Sequence, residues 1–500
     1  MKRSKICLCL TGETIAEDLE IIEKYRQHID MVELRVDYLN KDERLHVRNF
    51  PSLVHIPTIL TIRRSIDGGK YVEGEASRTT LFARALSFAD PDPSKNFAYV
   101  DFEDDFHVPC LQDAAFAYGT RVIRSFHDMK GTVKNIAEKM TKMRVTGHEI
   151  PKIALMPKSL SDVTDVFRQA KDIPDFPHIL IAMGPFGVAT RILAENLKSF
   201  ITYTAPIENG TNLFDIGQLD PITLNTMYNF HNITEKTKIF GITGYPLNTT
   251  LSPTLHNTGF KKKNIDSIYI PIRAEKIEEA LDFANVIGVQ GMSVTVPHKE
   301  SVLQHLYQIS AKVGEIGACN TIIKRENGWE GYNTDAEGFR RSLCTFLGTD
   351  SLKGMKVAII GAGGAAKAAA AVVKELKGKA CIFNRTPARA KDLATAYNFK
   401  WSPLNEESMM LLEQYSDLII QTTSVGLGVS DAAFHLPEND ALPYYEFRGH
   451  EAVYDMIYSP SVTPILARAE SAGCRTCNGL TMLQFQGYKQ FELFTGESYE

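Results

Sequence analysis

The chain has 500 residues, enough for about three domains, with 44% hydrophobic residues and a formal net charge of −5. No block of like charge stands out, which argues against a nucleic-acid partner, and no uninterrupted apolar run is long enough to cross a membrane. The eight cysteines are scattered, and Cys474 and Cys477 have no second pair or histidine at ligand spacing, so reduced thiols and no metal are expected.

In chain order, the first stretch, MKRSKICLCLTGETIAED, has too short an apolar run for a secretory core. It lacks an Arg/Ser-rich transit segment as well, so a cytoplasmic location is expected. Short apolar strands then alternate with amphipathic helices: strands near 5–10, 31–37, 57–63, 97–103, 121–126, 151–156, 178–183 and 200–204. Eight such units in about 220 residues predict a (βα)8 TIM barrel of class α/β.

Several strands carry charge on one face. In Met31–Asp37, Glu33, Arg35 and Asp37 share the face opposite Val32, Leu34 and Val36. In a barrel that face is the interior, where charge is costly unless paired, so a polar site is expected; an edge strand in water is the alternative. Arg63, Asp101, Glu103, His127 and Arg191 lie at or near the ends of other strands, and Lys152 opens the strand KIALMP. A lysine facing a barrel interior is desolvated, which lowers an amine's pKa and suits it to imine formation with a ketone. His127 would then supply acid/base chemistry, and Arg63 with Arg191 a carboxylate clamp.

The motifs ELRVD, SFHD, KIALMP and MGPFGVATR, in this order over roughly residues 5–220, resemble those of the type I 3-dehydroquinate dehydratases. The resemblance implies that Lys152 binds the substrate ketone as an imine. His127 would remove the adjacent proton and protonate the departing hydroxyl. Glu33, Arg35, Arg63, Arg191 and Gln218 would hold hydroxyls and carboxylate, and Asp67, in DGG, falls where the family places a glutamate partner of the histidine. The chain departs from the family at Phe214–Gly217, where Ser-Ala-Pro-Gly is expected. The stretch Gly68–Ser77 reads as a mobile, glycine-rich loop over the barrel mouth.

Residues 225–237 are polar without apolar periodicity, which places a domain junction there. A second α/β series follows. Thr250 and Ser252 precede a helix, where they either bind an anion or only cap it. Thr295 and Lys299 in SVTVPHK, Asn320 in ACNT and Asp335 in YNTD stand at three turns, and Lys299 with Asp335 is either an acid/base pair or a surface ion pair.

Val357–Ile360 then runs into Gly361-Ala-Gly363-Gly364-Ala365-Ala366 and an alanine-rich helix, the strand–turn–helix order of a dinucleotide fingerprint. A structural turn is the alternative. After the next strand, Asn384-Arg385-Thr386 and Arg389 stand where an NAD site places an acidic residue; two guanidiniums suit the 2′-phosphate of NADP.

SVTVPHK, GACNT, YNTD, GAGGAAK, NRT, TTSVG, YDMIYSP and NGLTMLQFQ together resemble shikimate dehydrogenase over about residues 238–500. The resemblance implies NADPH-dependent reduction of 3-dehydroshikimate to shikimate, with Lys299 and Asp335 as the acid/base pair. Thr250 and Ser252 would take the carboxylate, and Thr295, Asn320, Asp335 and Gln486 the hydroxyls. Gly361, Gly363, Gly364, Ala365, Asn384, Arg385, Thr386, Arg389, Thr423 and Gly479 would hold NADP(H). Ser293 and Thr481 differ from the residues many members carry there.

The expected domains are 1–224 (barrel), 238–336 completed by 480–500 (substrate lobe) and 337–479 (Rossmann lobe). The two halves would run consecutive steps of the shikimate pathway on 3-dehydroquinate, 3-dehydroshikimate and shikimate. The alternative is an NADP-dependent shikimate or quinate dehydrogenase whose barrel is an inactive binding or scaffolding module.

Overall fold

The computed structural model describes residues 3–87, 90–207, 217–247 and 250–500. They group into two compact units, Met1–Val289 and Gln290–Glu500. None of their helices is long and apolar enough to cross a membrane.

The first unit is built on eight strands: β1 (Lys5–Leu10), β2 (Met31–Arg35), β3 (Thr58–Thr61), β4 (Tyr99–Glu103), β5 (Arg121–Asp128), β6 (Ile150–Leu155), β7 (Ile179–Ala182) and β8 (Ile201–Thr204). All pair in parallel, in the order β7-β6-β5-β4-β3-β2-β1-β8. The ring closes between β7 and β8 without a ladder. A single bridge, His178 to Ser199, stands there instead. Around it the Phe200 N–H donates to the His178 carbonyl at 2.7 Å and the Leu180 N–H to Ser199 Oγ at 3.1 Å.

Strand alternation fills the barrel in layers. Met31, Ile59, Tyr99, Ile123, Ile150, Ile179 and Ile201 pack into an apolar floor. Two residues further along four of the same strands come Glu33, Asp101, Ser125 and Lys152, all buried. The outward face, with Val32, Leu34, Leu60, Val100 and Val122, packs under the surrounding helices.

The start of the glycine-rich stretch after β3 is fastened to the barrel. The Tyr71 N–H donates to the Arg63 carbonyl and the Ser65 N–H to the Tyr71 carbonyl, both at 3.1 Å. The Lys70 N–H reaches Asp37 Oδ2 at 3.0 Å. Gly69 is required by this closeness, because a Cβ there would stand 2.2 Å from the Arg63 oxygen.

The polar run at 225–237 is no open linker: Leu224, Tyr228, Phe230 and Ile233 are buried in short turns. Residues 238–289 join the barrel's unit, where β9 (Lys238–Gly244) and β10 (Ser267–Arg273) pair in parallel. Their helix Ile277–Ile287 packs on the barrel helix Leu160–Ala170. Phe283 meets Phe167 edge-on at 5.6 Å, and Asp282 pairs with Arg168 at 2.6 Å.

In the second unit, β11 (Val289–Val294) runs antiparallel to β13 (Thr321–Arg325), and β13 antiparallel to β14 (Gly328–Tyr332). The edge strand β12 (Leu306–Ile309) lies parallel to β14. A Rossmann sheet follows: β15 (Lys356–Ile360), β16 (Lys379–Asn384), β17 (Lys400–Pro403), β18 (Leu418–Gln421), β19 (Ala452–Asp455) and β20 (Arg475–Cys477), in the order β17-β16-β15-β18-β19-β20. This is the doubly wound order whose strand sequence reverses between the first and fourth strands, here β15 and β18. The last helix, Leu480–Thr495, packs on Asp335–Leu347, close enough that a Cβ on Gly338 would be 2.7 Å from the Gln486 Cβ.

Candidate active sites

The upper layer of the barrel is a charged cluster with little access to water. Lys152 lies in the middle of β6, not at its start, and its ammonium is 3.0 Å from Asp101 and 3.8 Å from Glu33. Arg63 binds Asp101 at 2.7 Å and Glu103 at 2.8 Å. Arg78, fully buried, binds the other oxygen of Glu103 at 2.8 Å. Arg35 forms a two-point pair with Asp37, at 3.0 and 2.8 Å. Burial opposes an ionised Asp101, but Arg63, Lys152 and His127 hold its carboxyl well below the usual range.

His127 is on β5, one interior step beyond Ser125. Burial, reinforced by Arg63 and Lys152, holds its imidazole well below the ordinary histidine value, so the ring is neutral near pH 7. Its Nδ1 has no hydrogen-bond partner.

The acidic partner expected at Asp67 is not in place. Asp67 Oδ2 accepts from Arg64 Nε at 2.7 Å. Its loop does approach the segment after His127: a Cβ on Gly68 would be 3.1 Å from Met129 Cε. The carboxylate is held by Arg64, whose other nitrogens grip Asp105.

The expected pairing of Arg63 with Arg191 as a clamp also changes. Arg63 is neutralised by two carboxylates, whereas Arg191, on the short helix Val188–Ile192, has none among the described residues. Its Nε donates to the Gly217 carbonyl at 2.8 Å and its Nη1 to the Tyr203 carbonyl at 2.9 Å. Burial alone pushes its guanidinium down to about 10. Glu33, Asp101 and Glu103 thus balance Lys152, Arg63 and Arg78, Asp37 balances Arg35, and Arg191 remains uncompensated by the described residues of the barrel interior. Gln218 follows Gly217 directly, and Gly217 sits so tightly on Gly184 that a Cβ would be 1.9 Å from its oxygen. The altered residues 214–216 lie outside the described residues.

In the second unit, Lys299 Nζ donates to Asp335 Oδ2 at 2.6 Å. Asn320 Nδ2 donates to Asp335 Oδ1 at 2.8 Å, and its Oδ1 accepts the Thr334 N–H at 2.8 Å. The final helix brings Gln486 Oε1 to 3.4 Å from Asn320 Nδ2 and 3.3 Å from Thr334 Oγ1. Gln490, one turn on, binds Ser293 Oγ at 2.9 Å and Thr321 Oγ1 at 2.9 Å, a role that its place in the terminal helix did not announce. Thr295 is half-buried at the end of β11. In the first unit, Thr250 Oγ1 accepts the Ser252 N–H at 3.2 Å at the start of the helix Ser252–Lys263.

The glycine turn stands at the end of β15, against the start of the segment after β18. Gly361 has φ +113°, and a Cβ there would be 2.5 Å from Thr422 Oγ1. Gly363, at the N-terminus of the helix Gly364–Glu375, faces open space. Gly364 packs on the stem of Lys299: a Cβ would be 3.4 Å from its Cδ. Gly479 is pressed on the Met456 carbonyl, 2.1 Å from where a Cβ would stand.

Comparison with known proteins agrees with this geometry. Residues 6–235 match the type I 3-dehydroquinase family, 242–322 the shikimate dehydrogenase substrate binding domain, and 347–430 the shikimate / quinate 5-dehydrogenase family. The shikimate dehydrogenase (NADP(+)) of Pyrococcus abyssi is 36% identical over 52% of this chain and 92% of its own length. The bifunctional 3-dehydroquinate dehydratase/shikimate dehydrogenase, chloroplastic, of Arabidopsis thaliana is 29% identical over 99% of this chain and 82% of its own. The chain belongs to the bifunctional type I 3-dehydroquinase/shikimate dehydrogenase family.

A solved shikimate 5-dehydrogenase of Thermus thermophilus, in complex with NADP(H) and shikimate, is 30% identical over 52% of this chain and 94% of that one, with a TM-score of 0.44. The cofactor of this bifunctional dehydratase–dehydrogenase is NADP(H). Its own residues fit that group. The open Gly363 leaves the helix N-terminus accessible to a pyrophosphate, and no acidic residue stands at the tip of β16. The exposed guanidiniums of Arg385 and Arg389 have no ion-pair partner among the described residues.

Proposed function

We propose how the residues of this chain dehydrate 3-dehydroquinate to 3-dehydroshikimate and reduce it to shikimate. In the barrel, the Lys152 amine attacks the substrate ketone and holds it as an imine. Neutral His127 takes the adjacent proton and returns it to the departing hydroxyl as water leaves. Arg191, with Gln218 beside it, takes the substrate carboxylate, while Glu33 and the Arg35–Asp37 pair meet hydroxyls. Arg63 positions Asp101, which in turn fixes Lys152; Asp67 holds Arg64 and does not serve the histidine.

The observation that carries this reading is the charge balance of the barrel interior: among the described residues that face it, Arg191 is the cation left without a carboxylate, for a substrate bearing one.

In the reductase half, NADP(H) supplies the hydride. Lys299 hands a proton to the new hydroxyl oxygen and regains one from water, while the Asp335 carboxylate orients it across the 2.6 Å contact and favours its charged form. Asn320 fixes Asp335, Gln486 and Thr295 bind ring hydroxyls, and Thr250 with Ser252 binds the carboxylate at a helix start. Gly361, Gly363, Gly364, Ala365, Thr423 and Gly479 let the cofactor approach the backbone, and Asn384, Arg385, Thr386 and Arg389 take its 2′-phosphate. We place the reactions in the cytoplasm, a reading supported by the eight free thiols.

The test is to mix the purified chain with 3-dehydroquinate and NADPH alone and follow shikimate. Shikimate must appear, and borohydride with 3-dehydroquinate must label Lys152. Shikimate from 3-dehydroshikimate but not from 3-dehydroquinate would instead mean an inactive barrel.

A further inference from the structure

Tyr203 is an interior residue of the barrel that touches both proposed anchor points of the substrate. It lies on β8, facing inward with the apolar floor. Its carbonyl accepts the Arg191 Nη1 hydrogen bond at 2.9 Å. Its ring lies under the Lys152 ammonium, with Nζ 4.4 Å from the ring centre. The residue is 6% exposed, and its hydroxyl has no hydrogen-bond partner among the described residues.

An unmade hydrogen bond on a buried phenol costs about 1–3 kcal/mol. A phenylalanine in the same place would fill the same floor and keep the cation over its face without that cost. Packing therefore explains the ring and leaves the hydroxyl unexplained. The phenol stays protonated, because burial and then the negative charge of Glu33 push it well above its ordinary value. Among the described residues it is a donor without an acceptor, on the ring that underlies the amine proposed to meet the ketone.

We infer that the Tyr203 hydroxyl binds the substrate's ketone oxygen while Lys152 forms the imine. This rests on the reading of Lys152 as the nucleophile. As the nitrogen–carbon bond forms, the carbonyl π pair moves onto oxygen, which takes a proton from the attacking nitrogen to give the carbinolamine. The proton that neutral His127 took from the Lys152 ammonium before the attack returns to that hydroxyl and releases it as water, and the nitrogen lone pair closes the protonated imine. Tyr203 keeps its own proton throughout. It donates a hydrogen bond that strengthens as charge gathers on the oxygen, which makes it a group that acts mainly in the transition state.

The experiment uses the full chain, wild type and Tyr203→Phe, with 3-dehydroquinate and borohydride, following the reduced adduct on Lys152 by mass spectrometry. In parallel, dehydration is followed by absorbance and NADPH oxidation is measured with 3-dehydroshikimate. Tyr203→Phe should slow trapping and lower the dehydratase kcat about tenfold with KM little changed. Reduction of 3-dehydroshikimate and the melting temperature should hold, which shows the variant folded. Trapping and kcat at wild-type values would overturn the inference and leave Tyr203 a packing residue. A rise in KM alone would overturn it too, placing the hydroxyl away from the ketone. If wild-type protein itself traps nothing, the reading of Lys152 falls and this inference with it.

Discussion

At the scale of single residues, the barrel is decided by which charges find partners. Among the described residues Arg191 makes its bonds to two carbonyls and to no carboxylate. Arg191→Ala should therefore raise the dehydratase KM for 3-dehydroquinate by about 10–100-fold while leaving 3-dehydroshikimate reduction intact. Steady-state kinetics of both activities on the same sample checks this. His127 gives a second prediction. Its imidazole is held below the ordinary value, so protonation, which removes the base, sets in only at more acid pH. The acid limb of dehydratase kcat/KM should lie below about 6.5, the unperturbed histidine value. A limb at or above that value would mean that another group is the base. In the other unit, Lys299→Met should reduce shikimate formation from 3-dehydroshikimate by about 10²–10⁴-fold with dehydration untouched.

The same scale shows where sequence reading stops. Glu33, Lys152 and His127 are legible because charge at alternate positions of an apolar strand has to face a site. Asp67 misled because a motif fixes a position on the chain and not the rotamer. Arg64, three residues earlier, claims that carboxylate at 2.7 Å. The neutralisation of Arg63 by Asp101 and Glu103 and the lone charge of Arg191 depend on side chains from five separate elements. No local pattern carries such a sum.

At the scale of elements, the eight barrel strands and the glycine turn were readable because each is a short apolar run with alternation or a tight-turn signal. The segment 225–237 was not, because its buried Tyr228, Phe230 and Ile233 follow neither helical nor strand spacing. Asp18, on the first helix, bears on how the β1 loop is held. Its Oδ1 accepts the Gly12 N–H at 2.9 Å and its Oδ2 has no partner. Burial pushes its carboxyl up to about 6 from 3.8. A raised folded-state value means that the fold is favoured while the group is protonated, and that this advantage is lost as pH rises through about 6. Asp18→Asn keeps the Gly12 bond and carries no charge. It should raise the melting temperature at pH 8, by the equivalent of about 2–3 kcal/mol, and give no gain at pH 4. Thermal melts at the two pH values decide it.

At the scale of the whole molecule, two chemistries share one chain. Mixing Lys152→Met and Lys299→Met proteins should restore shikimate from 3-dehydroquinate, since each supplies the step that the other lacks. Shikimate should appear after a lag that shortens as total protein rises, the mark of an intermediate released to solution. A mixture that stays silent would mean that the product of one molecule cannot serve the next.

The joint between β7 and β8 has a consequence for how the barrel opens. Every other pair of neighbouring strands is a ladder; here one bridge and two flanking bonds do the holding. Above it, Arg191 follows β7 in the chain and grips the Tyr203 carbonyl on β8. The residue proposed to receive the carboxylate is thus also the clasp of the ring. Amide deuterium should enter first along Ile179–Ala182 and Ile201–Thr204, and enzyme arrested as its reduced adduct should close that door, so that the substrate itself fastens the barrel around the bond it is about to lose.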